Sequence, residues 1–465
     1  MTNQRKQGFL LIAILIFALM IRILPFYFFG EHPLGYDTGF YRRYIINPTV
    51  SFPNAPTEIL GTSSLGTRIF IDILKFLPLP PDYVLYGGYL LATLLAGVAL
   101  FFFTRHLFGV TAGAIALFLF AISPVQYTAY WYFLWTNMLG VALLFLIFLL
   151  MDASTRLSTG RKSYYALLPA LALMVTHTTT SIIFALTLTA FLISKFFLTK
   201  YPYKLQFVRV LFTLLFFSLA GFLWTQWPIS ANYFLNAKAL FIGGAEYLRL
   251  SAFLFPLAAI GLYNFWPKTD STSSPQAKQS ILLPFALVAA AFPIFQLPFY
   301  QRIFPFLDLA IIIFAALGIK FLLAAPLKIW KVLFIIWMLA ATGIFTYEQI
   351  TKLQPLVSDT VIKNLELISN AVPPDANILT DTTLAPWVYG WSRQKIFAPG
   401  LINNFYSEKE WDEFWNTADA KEKIEFLKPF LKPLYFFTAK DSLNTFLPSA
   451  NCAEELTEFI YKYKC

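Results

Sequence analysis

The sequence predicts a polytopic α-helical membrane protein of about eleven spans, with a small C-terminal α/β domain on the outer face. Three observations carry this. First, the 465 residues are 58% hydrophobic and only 13% charged, against roughly 25% charge in a soluble globule. Second, apolar runs recur from residue 9 to residue 347, and basic residues gather in alternate connections between them. Third, beyond residue 347 the composition turns mixed and charged, as in an ordinary folded domain. The chain therefore divides into a membrane domain, residues 1–347, and a domain of residues 348–465. The 51 phenylalanines and 28 prolines fit a membrane setting, where helices tolerate proline better than in water. The formal charge of +10 implies no nucleic-acid partner, because most of the basic residues fall in short loops that set orientation.

The first run, residues 9–29, follows Arg5 and Lys6. It is too long for a signal-peptide core and no small-residue cleavage site follows, so it reads as a retained helix. An outer loop, residues 30–83, comes next and is counted with the membrane domain. Within it Ile59, Leu60, Ile69, Ile73, Leu74 and Leu77 recur at helical spacing. This predicts one or two short helices along the outer interface, ended by Pro78, Pro80 and Pro81. The remaining runs cover 84–104, 110–122, 138–151, 164–175, 182–197, 208–227, 248–266, 280–296, 303–323 and 330–347. Several are shorter than the ~20 residues that cross a bilayer. They borrow aromatic flanks, such as residues 127–135, or are partly buried in protein.

The connections at 105–106, 152–162, 195–209, 268–278 and 320–328 hold most of the short-loop lysine and arginine, whereas 123–136 and 176–181 hold none. The bias places the N-terminus and the basic loops in the cytoplasm. An odd number of spans then puts loop 30–83 and residues 348–465 outside the plasma membrane.

In the tail, residues 361–371 suggest a helix, and 376–380, 434–438 and 456–463 suggest strands. Ser407-Glu408-Lys409-Glu410 forms a capping box that opens a helix carrying Trp411, Phe414 and Trp415. Nothing there resembles a nucleotide-binding loop. Cys452 and Cys465 have neither zinc nor Cys-x-x-C spacing. Two readings stand: a disulfide in an oxidising compartment, or two thiols near a frayed end.

The stretch most suited to chemistry is Gly35-Tyr36-Asp37-Thr38-Gly39-Phe40-Tyr41-Arg42-Arg43-Tyr44, in the outer loop. Asp37 either caps a short helix or pairs with Arg42 or Arg43, or it faces a cavity, where it deprotonates an acceptor hydroxyl or binds a metal. If it starts a helix, Tyr41 lies one turn below on the same face. Arg22 lies inside the first span, where a charge is costly unless it snorkels or is paired. It either reaches outward to water or meets a phosphate. Gln301 and Asp308 share a helix face in a late span, with Arg302 about 100° away from Gln301. A guanidinium there suits bidentate phosphate binding. Asp308 is either functional or a hydrogen-bonding partner of another helix. His177, in Thr176-His177-Thr178-Thr179-Thr180, either lines a cavity or sits in a capped turn. His32, Glu246 and Arg249 read as loop residues. Arg22, Asp37, Arg42, Arg43, His177, Glu246 and Arg302 all map to the outer face or the outer third of the membrane.

With Arg22 in the first helix, the acid-bearing outer loop with Asp37 and Tyr41, Ser123-Pro124 followed by Tyr127 and Tyr130, His177 in an outer turn, and Arg302 late in the chain, the sequence resembles the GT-C class of integral-membrane glycosyltransferases. Protein O-mannosyltransferase-like and aminoarabinose transferase-like enzymes are the nearest in pattern. The resemblance implies a polyprenyl-phosphate-linked sugar donor, an outer-face site and inverting transfer to a lipid, glycan or protein acceptor. Asp37 would be the catalytic base. Arg22, Tyr41, Arg42, Arg43, His177 and Arg302 would bind substrate. Thr38 follows Asp37 where the mannosyltransferases carry Asp-Glu. Pro386-Trp387-Val388-Tyr389-Gly390 is the nearest string to the Trp-Trp-Asp-Tyr-Gly of oligosaccharyltransferases, and it lacks the acid. No second-loop Asp-x-Asp is present, which argues against a divalent metal, and no cofactor is implied. The alternative is a flippase for a lipid-linked saccharide, which would use the same cations but need no base. No inverted repeat of spans supports it.

Overall fold

The computed structural model describes residues 3–30, 34–46, 65–132, 134–156, 165–198, 242–265, 281–297, 300–324, 326, 329–399, 406–417, 419–430, 433–439, 443, 447 and 449–465. The expected run at 208–227, the first part of the expected interfacial helices and His32 lie outside these residues. Contacts divide the chain into two units. The first is Met1–Leu24, Ser64–Phe70 and Gly88–Leu353; the second is Pro25–Ser63, Ile71–Gly87 and Gln354–Cys465. Thus the described loop residues 34–46 and 71–83 group with the C-terminal part of the chain.

The helices run, in order, α1 Asn3–Phe29, α2 Thr38–Ile46, α3 Leu65–Lys75, α4 Gly88–Phe108, α5 Val110–Ile122, α6 Pro124–Trp131 and α7 Trp135–Arg156. They continue as α8 Leu167–Met174, α9 Thr178–Leu198, α10 Gly244–Ser251, α11 Phe255–Phe265, α12 Leu282–Ile294, α13 Tyr300–Ala324 and α14 Ile329–Lys352. Among the described residues, Gly8–Phe29, Tyr83–Phe108, Tyr300–Ala324 and Ile329–Lys352 are long and apolar enough to cross a membrane. These are 4 candidate spans, or up to 6 if each bent pair counts as one span. The chain is an integral membrane protein. The α5–α6 pair bends by 54° and the α10–α11 pair by 76°. The first bend has a local cause: Ser123 leaves the helix and caps α6, accepting from the Gln126 N–H at 3.1 Å, with Pro124 preset for a first helical turn.

The first unit's core is aromatic, with Phe145 edge-on to Phe285 and Phe148 packed against both Phe184 and Phe285. Helices α11 and α13 touch backbone to backbone. A Cβ on Gly261 would lie 1.8 Å from the Phe314 carbonyl oxygen, and one on Gly318 would lie 2.0 Å from that of Leu257. Small residues at a crossing let two membrane helices approach this closely.

The second unit contains α15 Asp359–Ala371, β1 Asn377–Thr380, α16 Ala385–Trp391, β2 Lys395–Phe397, α17 Glu408–Asn416, α18 Ala420–Leu427, β3 Leu434–Phe437, β4 Ala453–Glu455 and β5 Ile460–Tyr463. The sheet order is β2-β1-β3-β5-β4. β1 runs parallel to β2 and β3, while β5 runs antiparallel to β3 and β4. All residues of β1 and β3 are buried; β3 is a continuous apolar run, Leu-Tyr-Phe-Phe, while β1 buries Asn377 and Thr380 at its ends. Ser407 and Glu410 form the expected capping box of α17. The single strand expected at 456–463 is instead the second half of a hairpin. The Leu456 and Thr457 N–H groups turn back to the Ile460 carbonyl, so the strand starts only there. Cys452 and Cys465 form a disulfide, which settles the choice left open by the sequence and ties the chain end to the start of β4.

Candidate functional site

In the second unit the acid-bearing stretch opens a short helix. The Asp37 carbonyl accepts from the Phe40 N–H at 3.1 Å and the Tyr41 N–H at 3.4 Å, opening α2. The preceding turn uses Gly35 at φ +43°, in the left-handed region that favours glycine. The Asp37 side chain is half-buried, and Tyr41 is buried. The Tyr44 hydroxyl donates to Asp72 Oδ2 at 2.6 Å. The Tyr36 hydroxyl donates to the Thr382 carbonyl at 2.8 Å. Burial, with the charges of Asp37 and Asp381 nearby, pushes the Tyr36 phenol above its usual range.

The two arginines of α2 turn towards α16. Arg42 Nε donates to Asp82 Oδ1 at 3.0 Å, and its Nη1 donates to the Gly390 carbonyl at 3.0 Å. Its guanidinium carbon stands 4.2 Å from the centre of the Trp391 ring. Arg43 donates to the Ser392 carbonyl and, at 3.2 Å, to that of Arg393, and it lies over Tyr389. Burial lowers the Arg43 pKa from its ordinary value.

In the first unit Arg22 does not snorkel. It is 1% exposed and donates to the Ala121 carbonyl at 3.1 Å and the Phe120 carbonyl at 3.3 Å. These are last-turn carbonyls of α5, and a cation there also meets the negative end of the helix dipole. The rings of Phe120, Tyr127 and Tyr130 surround the guanidinium at 5.4–5.8 Å. Asp308 takes the hydrogen-bonding role. Its Oδ2 accepts from Ser123 Oγ at 2.7 Å and Gln126 Nε2 at 3.0 Å, and the same amide reaches the Pro305 carbonyl at 2.8 Å. The α5–α6 bend is thus held from both sides by side chains on other helices, Arg22 and Asp308.

His177 precedes α9 and acts as its cap. The Thr180 N–H donates to Nδ1 at 3.3 Å, and the Thr180 hydroxyl lies 2.6 Å from the same nitrogen. A backbone N–H can only donate, so Nδ1 is the acceptor and the proton of the neutral ring sits on Nε2. Gly140 of α7 makes room for this turn: a Cβ there would lie 2.7 Å from Thr180 Oγ1 and 3.1 Å from the His177 Cβ. Arg302, half-buried in the first turn of α13, lies within electrostatic range of the imidazole. The first unit therefore holds a ring N–H donor and a guanidinium within electrostatic range of each other, group types that suit an anionic oxygen. Glu246, Arg249 and Glu348 form an ion-pair cluster, with Arg249 at 2.9 Å from both carboxylates. Among the described residues no group of three or more His, Cys, Asp or Glu side chains is arranged to hold a metal ion.

The residues stand out in the sequence, but their partners do not. Asp72, Asp82, Gln126 and the carbonyls of 390–393 lie 28 to 350 positions from the groups they bind. Pro386 at the first turn of α16 was the one local signal for that helix.

No family model and no curated protein sequence matches the chain. Solved structures do. The archaeal oligosaccharyltransferase AglB from Archaeoglobus fulgidus, in complex with an inhibitory peptide and a dolichol-phosphate, matches with a TM-score of 0.63 at 13% identity, over 92% of this chain and 69% of that one. ArnT from Cupriavidus metallidurans, bound to undecaprenyl phosphate, matches with a TM-score of 0.62 at 12% identity, over 99% of this chain and 98% of that one. The arabinofuranosyltransferase AftD from Mycobacteria matches with a TM-score of 0.59 at 14% identity, over 94% of this chain and 35% of that one. The chain has the fold of the GT-C membrane glycosyltransferases.

Proposed function

We propose that this protein transfers a sugar from a polyprenyl-phosphate-linked donor to a lipid, glycan or protein acceptor at the outer face of the plasma membrane. The observation that carries this reading is the near end-to-end match to ArnT, a structure bound to undecaprenyl phosphate, over 99% of this chain and 98% of that one. The N-terminus is cytoplasmic and the C-terminal part lies outside, the arrangement that the loop charges favour. The Cys452–Cys465 disulfide suits an oxidising compartment.

The transfer is an inverting displacement. The acceptor hydroxyl oxygen attacks the anomeric carbon, and Asp37 takes the proton from that hydroxyl. The bond to the donor phosphate breaks, and its electron pair leaves with the lipid phosphate. Arg302 and the Nε2–H of His177 stabilise the charge that grows on the phosphate oxygens. The half-buried position of Asp37 suits a base that must meet its substrate. Arg22 takes a supporting role, because its donors are turned to the carbonyls that end α5.

The test uses the full chain in proteoliposomes with a panel of polyprenyl-phosphate sugars and candidate acceptors, each donor labelled in the sugar. The reading expects label in the acceptor and release of unlabelled polyprenyl phosphate. Label that crosses the bilayer still attached to its lipid, with none in any acceptor, would identify a flippase and overturn the enzyme reading.

A further inference from the structure

Five residues of the acid-bearing stretch lean on one short segment of the second unit. A Cβ on Gly39 would lie 1.7 Å from the Pro386 carbonyl oxygen, and one on Gly390 would lie 2.4 Å from the Gly39 Cα and 2.6 Å from its carbonyl oxygen. The obstructing atoms are backbone on both sides, so neither can give way as a side-chain tip would. Neither glycine adopts a positive φ. Closeness, not backbone angle, is therefore what requires glycine, at helical positions where alanine is intrinsically better. Around this crossing Phe40 packs on Tyr389 at 5.7 Å, Tyr36 donates to the Thr382 carbonyl, Arg42 donates to the Gly390 carbonyl, and Arg43 to those of Ser392 and Arg393. The arginines satisfy carbonyls at and beyond the end of α16, where no intrahelical donor remains.

The gripped positions follow helical spacing. Among them Gly39, Phe40 and Arg43 recur at three- and four-residue intervals on one face of α2, and Tyr36 grips from the turn before it. Tyr41 and Tyr44 lie on a neighbouring stripe of α2, and Tyr44 is tied to Asp72. Holding this face of α2 fixes the turn that carries Asp37, whose carbonyl accepts from the Phe40 and Tyr41 N–H groups.

We propose that α16 and the turn through Arg393 are a clamp that sets the position of Asp37, and that Gly39, Gly390, Arg42 and Arg43 are positioning residues rather than phosphate ligands. The string Pro386-Trp387-Val388-Tyr389-Gly390 then serves the acid loop instead of reading an acceptor sequence. This rests on the assignment of Asp37 as the base in the reading above.

Two variants of the full chain in detergent micelles test it, Gly390→Ala and Arg43→Gln, the second removing the grip without adding atoms to the crossing. Hydrogen–deuterium exchange is read for peptides covering residues 36–46, and initial rates are measured with the best donor of the panel. In both variants the clamp predicts exchange in 36–46 about tenfold faster than in the native protein, with β1 and β3 unchanged. It also predicts a kcat lower by about a hundredfold, the scale of a misplacement of about 1 Å, with the donor KM held within about threefold. Arg43→Lys, which keeps one of the carbonyl contacts, recovers part of kcat. Native exchange rates in 36–46 for both variants overturn the clamp. So does a raised donor KM with native kcat in Arg43→Gln, which is how loss of a phosphate ligand reads. If the unmodified protein transfers no sugar from any donor, the enzyme reading fails while the exchange rates still decide the clamp.

Discussion

Asp308 and Asp381 show how a carboxylate's partners decide its role. Asp308 is wholly buried in α13 and accepts from Ser123 and Gln126 through one oxygen. Asparagine can offer the same acceptor, whereas alanine strands two buried donors. Asp308→Ala should therefore lower stability by about 2–4 kcal/mol, and Asp308→Asn by clearly less, read from thermal unfolding in detergent. Asp381 accepts the Thr383 and Leu384 N–H groups on one oxygen, both at 2.9 Å. Burial raises its pKa in the folded state. A raised carboxyl pKa means that ionisation opposes folding above the folded-state value, and that this penalty vanishes below the unfolded value near ~3.9. Asp381→Asn keeps both hydrogen bonds and removes the charge. It should match or exceed the native stability at pH 7, with the advantage shrinking as the pH falls towards 4; a variant less stable at pH 7 would contradict this. His177 is held with Nε2–H as its donor, so His177→Ala should lower kcat/KM for the donor by about tenfold or more, mostly through kcat, the worth of one hydrogen bond to a developing anion. The residues themselves were legible in the sequence: a charge or an imidazole stands out in an apolar chain. Their partners were not, because Arg22 finds its carbonyls 98 and 99 positions away, a pairing that no local period encodes.

Among the elements, length and period separated what could be read from what could not. Long apolar helices such as α4, α13 and α14 follow directly from composition, and the capping box at Ser407 marked the start of α17 to the residue. Bends and short pieces were harder. Ser123-Pro124 breaks a span because serine caps and proline starts a new turn, and the aromatic flank beyond it folds as the separate short helix α6. The strand expected at 456–463 starts late because a hairpin turn occupies its first residues. The seven residues of α16 lack the length to show a helical period. Glycines inside apolar helices carry more than their local signal. Gly318 meets the Leu257 carbonyl directly, so Gly318→Val should push α11 from α13 and cost about 2 kcal/mol or more. An exposed-face change such as Leu333→Ala on α14 should cost far less in the same thermal scan.

The molecule as a whole combines a GT-C fold with an outward-facing reading of its loops and tail. The orientation has a direct chemical readout. Cys452 and Cys465 are the two cysteines of the chain and are bridged to each other. In intact cells, a membrane-impermeant reductant followed by an impermeant maleimide should label the protein, and no label should appear without the reductant. Labelling only after lysis would place the tail inside and reverse the topology. The central claim is sugar transfer with Asp37 as the base, and the comparison of native protein with Asp37→Asn tests it most directly. The account predicts transfer from a polyprenyl-phosphate sugar by the native chain. It predicts a kcat lower by at least about a hundredfold in the variant, with polyprenyl phosphate bound as tightly as before. Equal transfer by the two proteins would remove Asp37 from the chemistry and contradict the account.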